Sequence, residues 1–286
     1  LTSRDGIDVA VTFNQSSVWP EVLAPGIERQ RLLTSARLPR TKVLLDRVKL
    51  APGKSIELFV EPGSLAWIQI LEGETLLTAP PAKLALGSTH IVLLPPKATV
   101  SASGKRGAVL LHAQVPQASR LDPKLAEEPP HLRVVDWSRE PVLDSEHDAR
   151  KRIYIVTPKL FGTTAVKGEM IVYPPGTQAS RHHHVGAEHF MYVLKGRGTA
   201  YANEKPFAVQ AGDLIYYDDC ERHYLRSEGD EEMVFAEFFV PGAYKTVWAE
   251  GAPVCTWTPT GRNIRGEKPV REIERHMSGT ATPQDV

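Results

Sequence analysis

The chain has 286 residues, 42% of them hydrophobic, enough for a substantial core built as two ordinary domains or one large all-β unit. Lysine plus arginine equals aspartate plus glutamate at 34 each, so no overall field favours nucleic acid or an anionic membrane, and no apolar run is long enough to span a bilayer. Two cysteines, Cys220 and Cys255, make no disulfide framework, and the opening residues Leu1 to Val11 carry Arg4, Asp5 and Asp8 without an apolar signal region, so a cytoplasmic location is expected.

Residues 1–41 read as an irregular lead-in, punctuated by Trp19-Pro20 and Ala24-Pro25-Gly26. From Lys42 the pattern turns to short β-like segments: Val43 to Leu50, Ile56 to Val60, Ala66 to Leu71, Leu76 to Ala79, Ile91 to Leu94 and Ala108 to Val115. Gly and Pro turns separate them, which predicts a sandwich or barrel over 42–117. Residues 118–150 are polar, contain proline and lack a strong period, so they read as a connector. A second strand series fills 151–242, and a tail follows over 243–286. The tail holds Trp248, Trp257 and a short helical pattern near Val270 to His276. Its aromatics predict docking on a barrel or a partner subunit.

The second series contains the chemistry. Pro175-Gly176 opens a stretch that puts His182, His183, His184 and His189 within eight residues. On a strand His182 and His184 share one face while His183 points away, and two neighbouring imidazoles can share a metal. Val185-Gly186-Ala187 reads as the turn of a hairpin that returns a third donor, Glu188 or His189. Downstream, Gly212 leads to His223. Four of the ten histidines thus form a candidate ligand set: His182, His184, His189 and His223.

These residues carry a resemblance to the cupin superfamily. Its first motif is G-x5-H-x-H-x3 or x4-E-x6-G, and Gly176, His182, His184, His189 and Gly196 stand in that frame. His189 occupies the place of the usual Glu, and choosing Glu188 instead breaks the count to Gly196. In the second motif, G-x5-P-x-G-x2-H-x3-N, Gly212 and His223 are in frame, while Asp218, Cys220 and Ser227 replace the proline, glycine and asparagine. The first strand series repeats the spacing through Gly53, Phe59, Glu61, Ala66 and Gly73, with Ala98 or Val100 where the later histidine belongs. Those side chains cannot make a metal site. The resemblance implies an all-β bicupin: two tandem jelly-roll barrels, of which only the second binds metal.

One divalent transition metal is expected, Fe, Mn, Ni, Cu or Zn, all suited to imidazole. Arg181, Tyr192, Tyr217 and Arg222 are candidates for contacts to an anionic substrate; Met191, Val193, Tyr217 and Leu225 are expected wall positions. No other histidine is assigned chemistry. If His189 is not bound, the three-histidine site resembles the Fe(II) cupin dioxygenases. The leading expectation is a metal-dependent oxygenase acting on a small oxygenated organic acid or aromatic. The alternatives are a metal-dependent amidohydrolase similar to the bicupin ureidoglycine aminohydrolases, and a non-enzymatic ligand-binding bicupin. A homodimer is expected from the barrel edges and the aromatic tail.

Overall fold

A computed structural model describes residues 11–273, which form four antiparallel sheets. In the first half a seven-stranded sheet runs in the spatial order Arg133–Asp136, His90–Leu93, Leu65–Gly73, Ala108–Val115, Leu44–Leu50, Ile27–Leu33 and Glu21–Ala24. It faces a four-stranded sheet of Ser55–Phe59, Lys97–Ala102, Thr75–Ala79 and Ala82–Leu86. The second half repeats the plan. An eight-stranded sheet places Asp213–Tyr217, Glu188–Lys195, Met233–Val240, Lys167–Tyr173 and Lys151–Val156 side by side. Its partner is a five-stranded sheet of Lys205–Gln210, Arg197–Ala202, His223–Glu228, His182–Val185 and Lys245–Trp248.

Alternation along the large sheets sorts side chains into a shared cluster and one core inside each barrel, with a smaller cluster of Leu143, Tyr154, Cys255, Trp257 and Ile273 beside the tail. Trp67, Leu93 and Leu111 of the first half and Phe190, Tyr192 and Phe238 of the second share one cluster, so the two large sheets pack back to back. Trp67 and Phe238 meet there at 5.2 Å between ring centroids. The residues between them point inward. Ala66, Ile68, Ala98, Val100 and Leu110 fill the first barrel with aliphatic side chains, whereas Met191, Val193, Tyr217, Leu225 and Phe235 line the second. Of the positions where the first barrel's ligands would stand, Ala66, Ala98 and Val100 are packed in this core, while Phe59 and Glu61 are exposed.

Three expectations change. The lead-in is not irregular: Val11–Asn14 pairs with Asp213–Tyr217 of the second barrel, and Glu21–Ala24 and Ile27–Leu33 extend the first. The connector contributes Arg133–Asp136 and Val142–Ser145 as added strands on one sheet of each half. Strands at a sheet margin need only one apolar side, so Arg133–Asp136 at the edge and Val142–Ser145 next to it lack the strong period of a core strand. The strands on either side of Gly186 are not a hairpin either. His182–Val185 pairs with His223–Glu228 and Lys245–Trp248, while Glu188–Lys195 belongs to the opposite sheet, so the turn crosses from one wall of the barrel to the other. The tail docks on its own barrel through Lys245–Trp248 and Trp257–Pro259. The described part of the helical pattern, Val270 to Ile273, is irregular; the rest lies outside the described residues.

Candidate metal centre

Cross-strand register brings the histidines together. His182 stands directly opposite His223, and His184 follows two residues along the same face. One ring nitrogen from each of His182, His184 and His223 lies within 4.8 Å of the others. Their remaining nitrogens are tied back to the protein. His182 Nδ1 donates to Ser180 O at 2.7 Å and His223 Nδ1 to Glu221 O at 2.8 Å, since a carbonyl can only accept. His184 Nδ1 lies 3.2 Å from Thr246 Oγ1 of the tail strand. The two carbonyl contacts set the tautomer that leaves Nε2 of His182 and of His223 as a lone pair. Nε2 of His184 and of His223 is buried with no hydrogen-bond partner. A buried polar atom without a partner costs about 1–3 kcal/mol, so the cluster is costly as an apolar wall and suited as a donor set.

Burial, reinforced by the neighbouring positive charges, pushes the His182 pKa down to about 4 and those of His184 and His223 well below their ordinary value. All three are neutral at pH 7, the state a metal requires. The donors fit a divalent transition metal.

His189 shares the wall but is held differently. Its ring stacks on Phe239 at 4.2 Å, and its Nε2 lies 3.1 Å from Glu237 Oε2, leaving Nδ1 buried and unpartnered. It lies outside the 4.8 Å group. Glu188, the other expected third donor, faces the seam between the barrels: it accepts from Thr41 Oγ1 at 2.6 Å and from the Lys42 backbone N–H at 2.8 Å. His183 pairs with Val247 on the outer face.

Beside the histidines lies a cavity of about 220 Å³. Met191 and Leu225 line it as expected. Three of the candidate anion contacts stand elsewhere. Arg181 and Arg222 are exposed, Arg181 lying 3.6 Å from Glu204, and Tyr192 packs in the seam between the barrels. Tyr217 is fully buried and stacks on His223 at 4.2 Å rather than touching the cavity.

The cavity's charged wall comes from residues sequence reasoning passed over. Arg152 Nε and Lys167 Nζ both bind Glu169, at 2.8 and 2.7 Å, and Arg150 pairs with Asp148 at 2.7 Å. Burial works against the charges of Arg152 and Lys167, but the shared Glu169 carboxylate together with the neighbouring Tyr154 and Tyr244 hydroxyls outweighs it and holds both firmly protonated. Burial, then the adjacent Glu169 charge, pushes Glu237 well above the usual carboxylate range. Glu237 therefore keeps its proton while Glu169 stays ionised. The tail completes the enclosure with Tyr244, Thr246, Trp248, Cys255 and Trp257. A signal was available: Glu169 in KGEMIVY, where Lys167 is the only other charge, and Glu237 in MVFAEFFV are single carboxyls in largely apolar strands, and such groups are seldom buried without partners.

The second motif's departures also have a place here. Cys220, where the cupin pattern has glycine, adopts φ 65°, the left-handed conformation that favours glycine, and its N–H reaches His184 O at 2.8 Å. Ser227, in place of asparagine, donates to Pro174 O at 2.6 Å and closes the loop that precedes the histidines.

Comparison with known proteins agrees with this picture. Residues 169–240 match the family model described as Cupin domain. The chain is 32% identical over 62 residues to the oxalate-binding protein of Thermotoga maritima, covering 22% of this chain and 51% of that protein. It is 28% identical over 102 residues to the oxalate decarboxylase OxdC of Bacillus subtilis, covering 34% of this chain and 26% of the decarboxylase. Each match thus spans about half of the curated relative or less. A solved structure of a serine-to-alanine mutant of that decarboxylase superposes with a TM-score of 0.67 at 16% identity, covering 87% of this chain and 81% of the other. That likeness extends the shared fold across both barrels.

Proposed function

We propose that the chain, built as two tandem cupin-like barrels, carries in its second barrel a metal-dependent enzyme acting on a small organic acid, with an oxygenase reaction leading. The observation that carries the reading is the group of three neutral imidazoles on the wall of a cavity that also presents Lys167 and Arg152. In this reading His182, His184 and His223 hold the metal, and His189 stands behind them, fixed by Glu237. Bound there, a divalent transition metal supplies Lewis acidity toward a chelating acid and, if redox-active, chemistry with dioxygen.

The chain's own groups supply the rest. Ser180, Glu221 and Thr246 hold the imidazoles in one orientation. Lys167 and Arg152 attract the anion and place it. The stacked rings of Phe239 and Tyr244, 4.2 Å apart, exclude water beside the histidines. Glu237 keeps a proton at its carboxyl.

That proton favours a second reading, redox-neutral cleavage of the acid. When a carboxyl group leaves as carbon dioxide, the C–C electron pair stays on carbon and takes the proton from Glu237, passing the negative charge to the carboxyl pair. The relative named oxalate decarboxylase points the same way.

The test is a panel of small organic acids offered to metal-loaded protein in an oxygen electrode, and in parallel under argon with carbon dioxide measured. Stoichiometric oxygen uptake supports the oxygenase; turnover under argon supports cleavage. Protein that binds no metal under any loading condition would overturn both.

A further inference from the structure

Resting on the reading of the second barrel as a site for an organic acid, we propose that its substrate is a flat aromatic monocarboxylate rather than a two-carbon diacid. Three observations carry this. First, the cavity's fixed charges are unevenly shared, for Lys167 and Arg152 both depend on the one Glu169 carboxylate. With Arg150 balanced by Asp148, the two cations left on the one Glu169 carboxylate attract a single further carboxylate. Second, much of the remaining lining is ring surface. Phe239 and Tyr244 stack beside His184, Trp248 lies 5.1 Å from the His182 ring, and Trp257 carries the Arg152 guanidinium on its face at 4.2 Å. Offset and edge contacts to such rings reward a planar π system and give nothing to a diacid without one. Third, at about 220 Å³ the cavity has the liquid volume of roughly seven waters, so a two-carbon acid would leave much of it wet.

The anion is placed by chain residues that precede and follow the histidines by many positions: Arg152 and Lys167 on adjacent strands, Tyr244 and Trp248 on the tail. Lys167 Nζ donates to Tyr244 OH at 3.1 Å, so the cationic and aromatic walls form one continuous surface. Selectivity for the ring belongs to the tail.

Calorimetric titration of metal-stripped protein with benzoate and with oxalate tests this without relying on the metal. Benzoate is expected to bind roughly tenfold or more tightly than oxalate. Trp248→Leu is expected to weaken benzoate by roughly fivefold or more while leaving oxalate unchanged, and Lys167→Met to weaken both. Trp248 is only half-buried, so its variant keeps the test alive where removal of the buried Lys167 prevents folding. Oxalate binding as tight as benzoate, no benzoate binding, or benzoate affinity indifferent to Trp248 would overturn the proposal. Metal content of the untreated protein, measured beside it, reports separately on the metal reading.

Discussion

His189 Nε2 lies 3.1 Å from Glu237 Oε2, which commits one ring nitrogen of the histidine to a buried carboxyl. The sequence frame puts His189 where a fourth ligand belongs, but the strand that carries it lies in the opposite sheet from His182 and His184. Glu237 then decides its orientation. His189→Ala is therefore expected to retain metal with affinity lowered by about 10–100-fold, the range for residues that support ligands. His184→Ala and His223→Ala are expected to lose stoichiometric metal. Metal analysis after dialysis against graded chelator separates the two classes; equal loss in all three variants would make His189 a full ligand.

The Thr246 side chain of the tail strand reaches the site, its Oγ1 lying 3.2 Å from His184 Nδ1. Removing that hydroxyl frees the ring to rotate and to protonate either nitrogen. Thr246→Val is expected to weaken metal binding about tenfold, with Thr246→Ser restoring it. A Thr246→Val protein that titrates with metal as the wild type does would show that the backbone pairing of His184 with Thr246 is sufficient by itself.

The histidine cluster was legible because the spacing of glycines and histidines encodes cross-strand register directly: His182 meets His223 as the two motifs' frames imply. The core strands were legible for the same reason, from Leu44–Leu50 to Ala108–Val115, though the short Ala82–Leu86 and Lys97–Ala102, rich in alanine and polar residues, passed unmarked. What sequence did not disclose is non-local. Lys167 meets Tyr244 77 residues away, and Arg152 lies over Trp257. Nothing in local periodicity specifies either meeting. Arg181 and Arg222 looked like anion contacts because they adjoin histidines, yet strand alternation turns neighbours of inward residues outward.

Trp67 is 1% exposed in the seam between the two large sheets, where it meets Phe238. Truncating it leaves a cavity shared by both barrels. Trp67→Ala is expected to cost about 3–5 kcal/mol. Guanidinium unfolding followed by fluorescence and by far-ultraviolet circular dichroism checks it. A single coincident transition at a lower midpoint is the expected result; a loss confined to one barrel would contradict a shared core.

The strand pairing that sets Glu237 opposite Glu169 in the second barrel sets His112 opposite Asp46 in the first. Among the described residues no group of metal-ligating side chains stands nearby, and His112 Nε2 is buried without a partner. Burial, with a further push from the Arg29 charge, lowers its pKa to about 4. The folded protein thus disfavours the protonated ring, whereas the unfolded chain takes up the proton near the ordinary value. Stability contributed by the neutral ring is complete above the unfolded pKa and falls as pH drops from about 6.5 toward 4, by on the order of 3 kcal/mol in total. His112→Gln removes this one titration and leaves those of His182, His184, His189 and His223. Between pH 6.5 and 4 the variant's unfolding free energy is therefore expected to change less steeply than the wild type's, by about 1.4 kcal/mol per pH unit at most. Urea unfolding at pH 7, 6 and 5 supplies the comparison, and parallel pH dependences would show that His112 takes up its proton in the folded state.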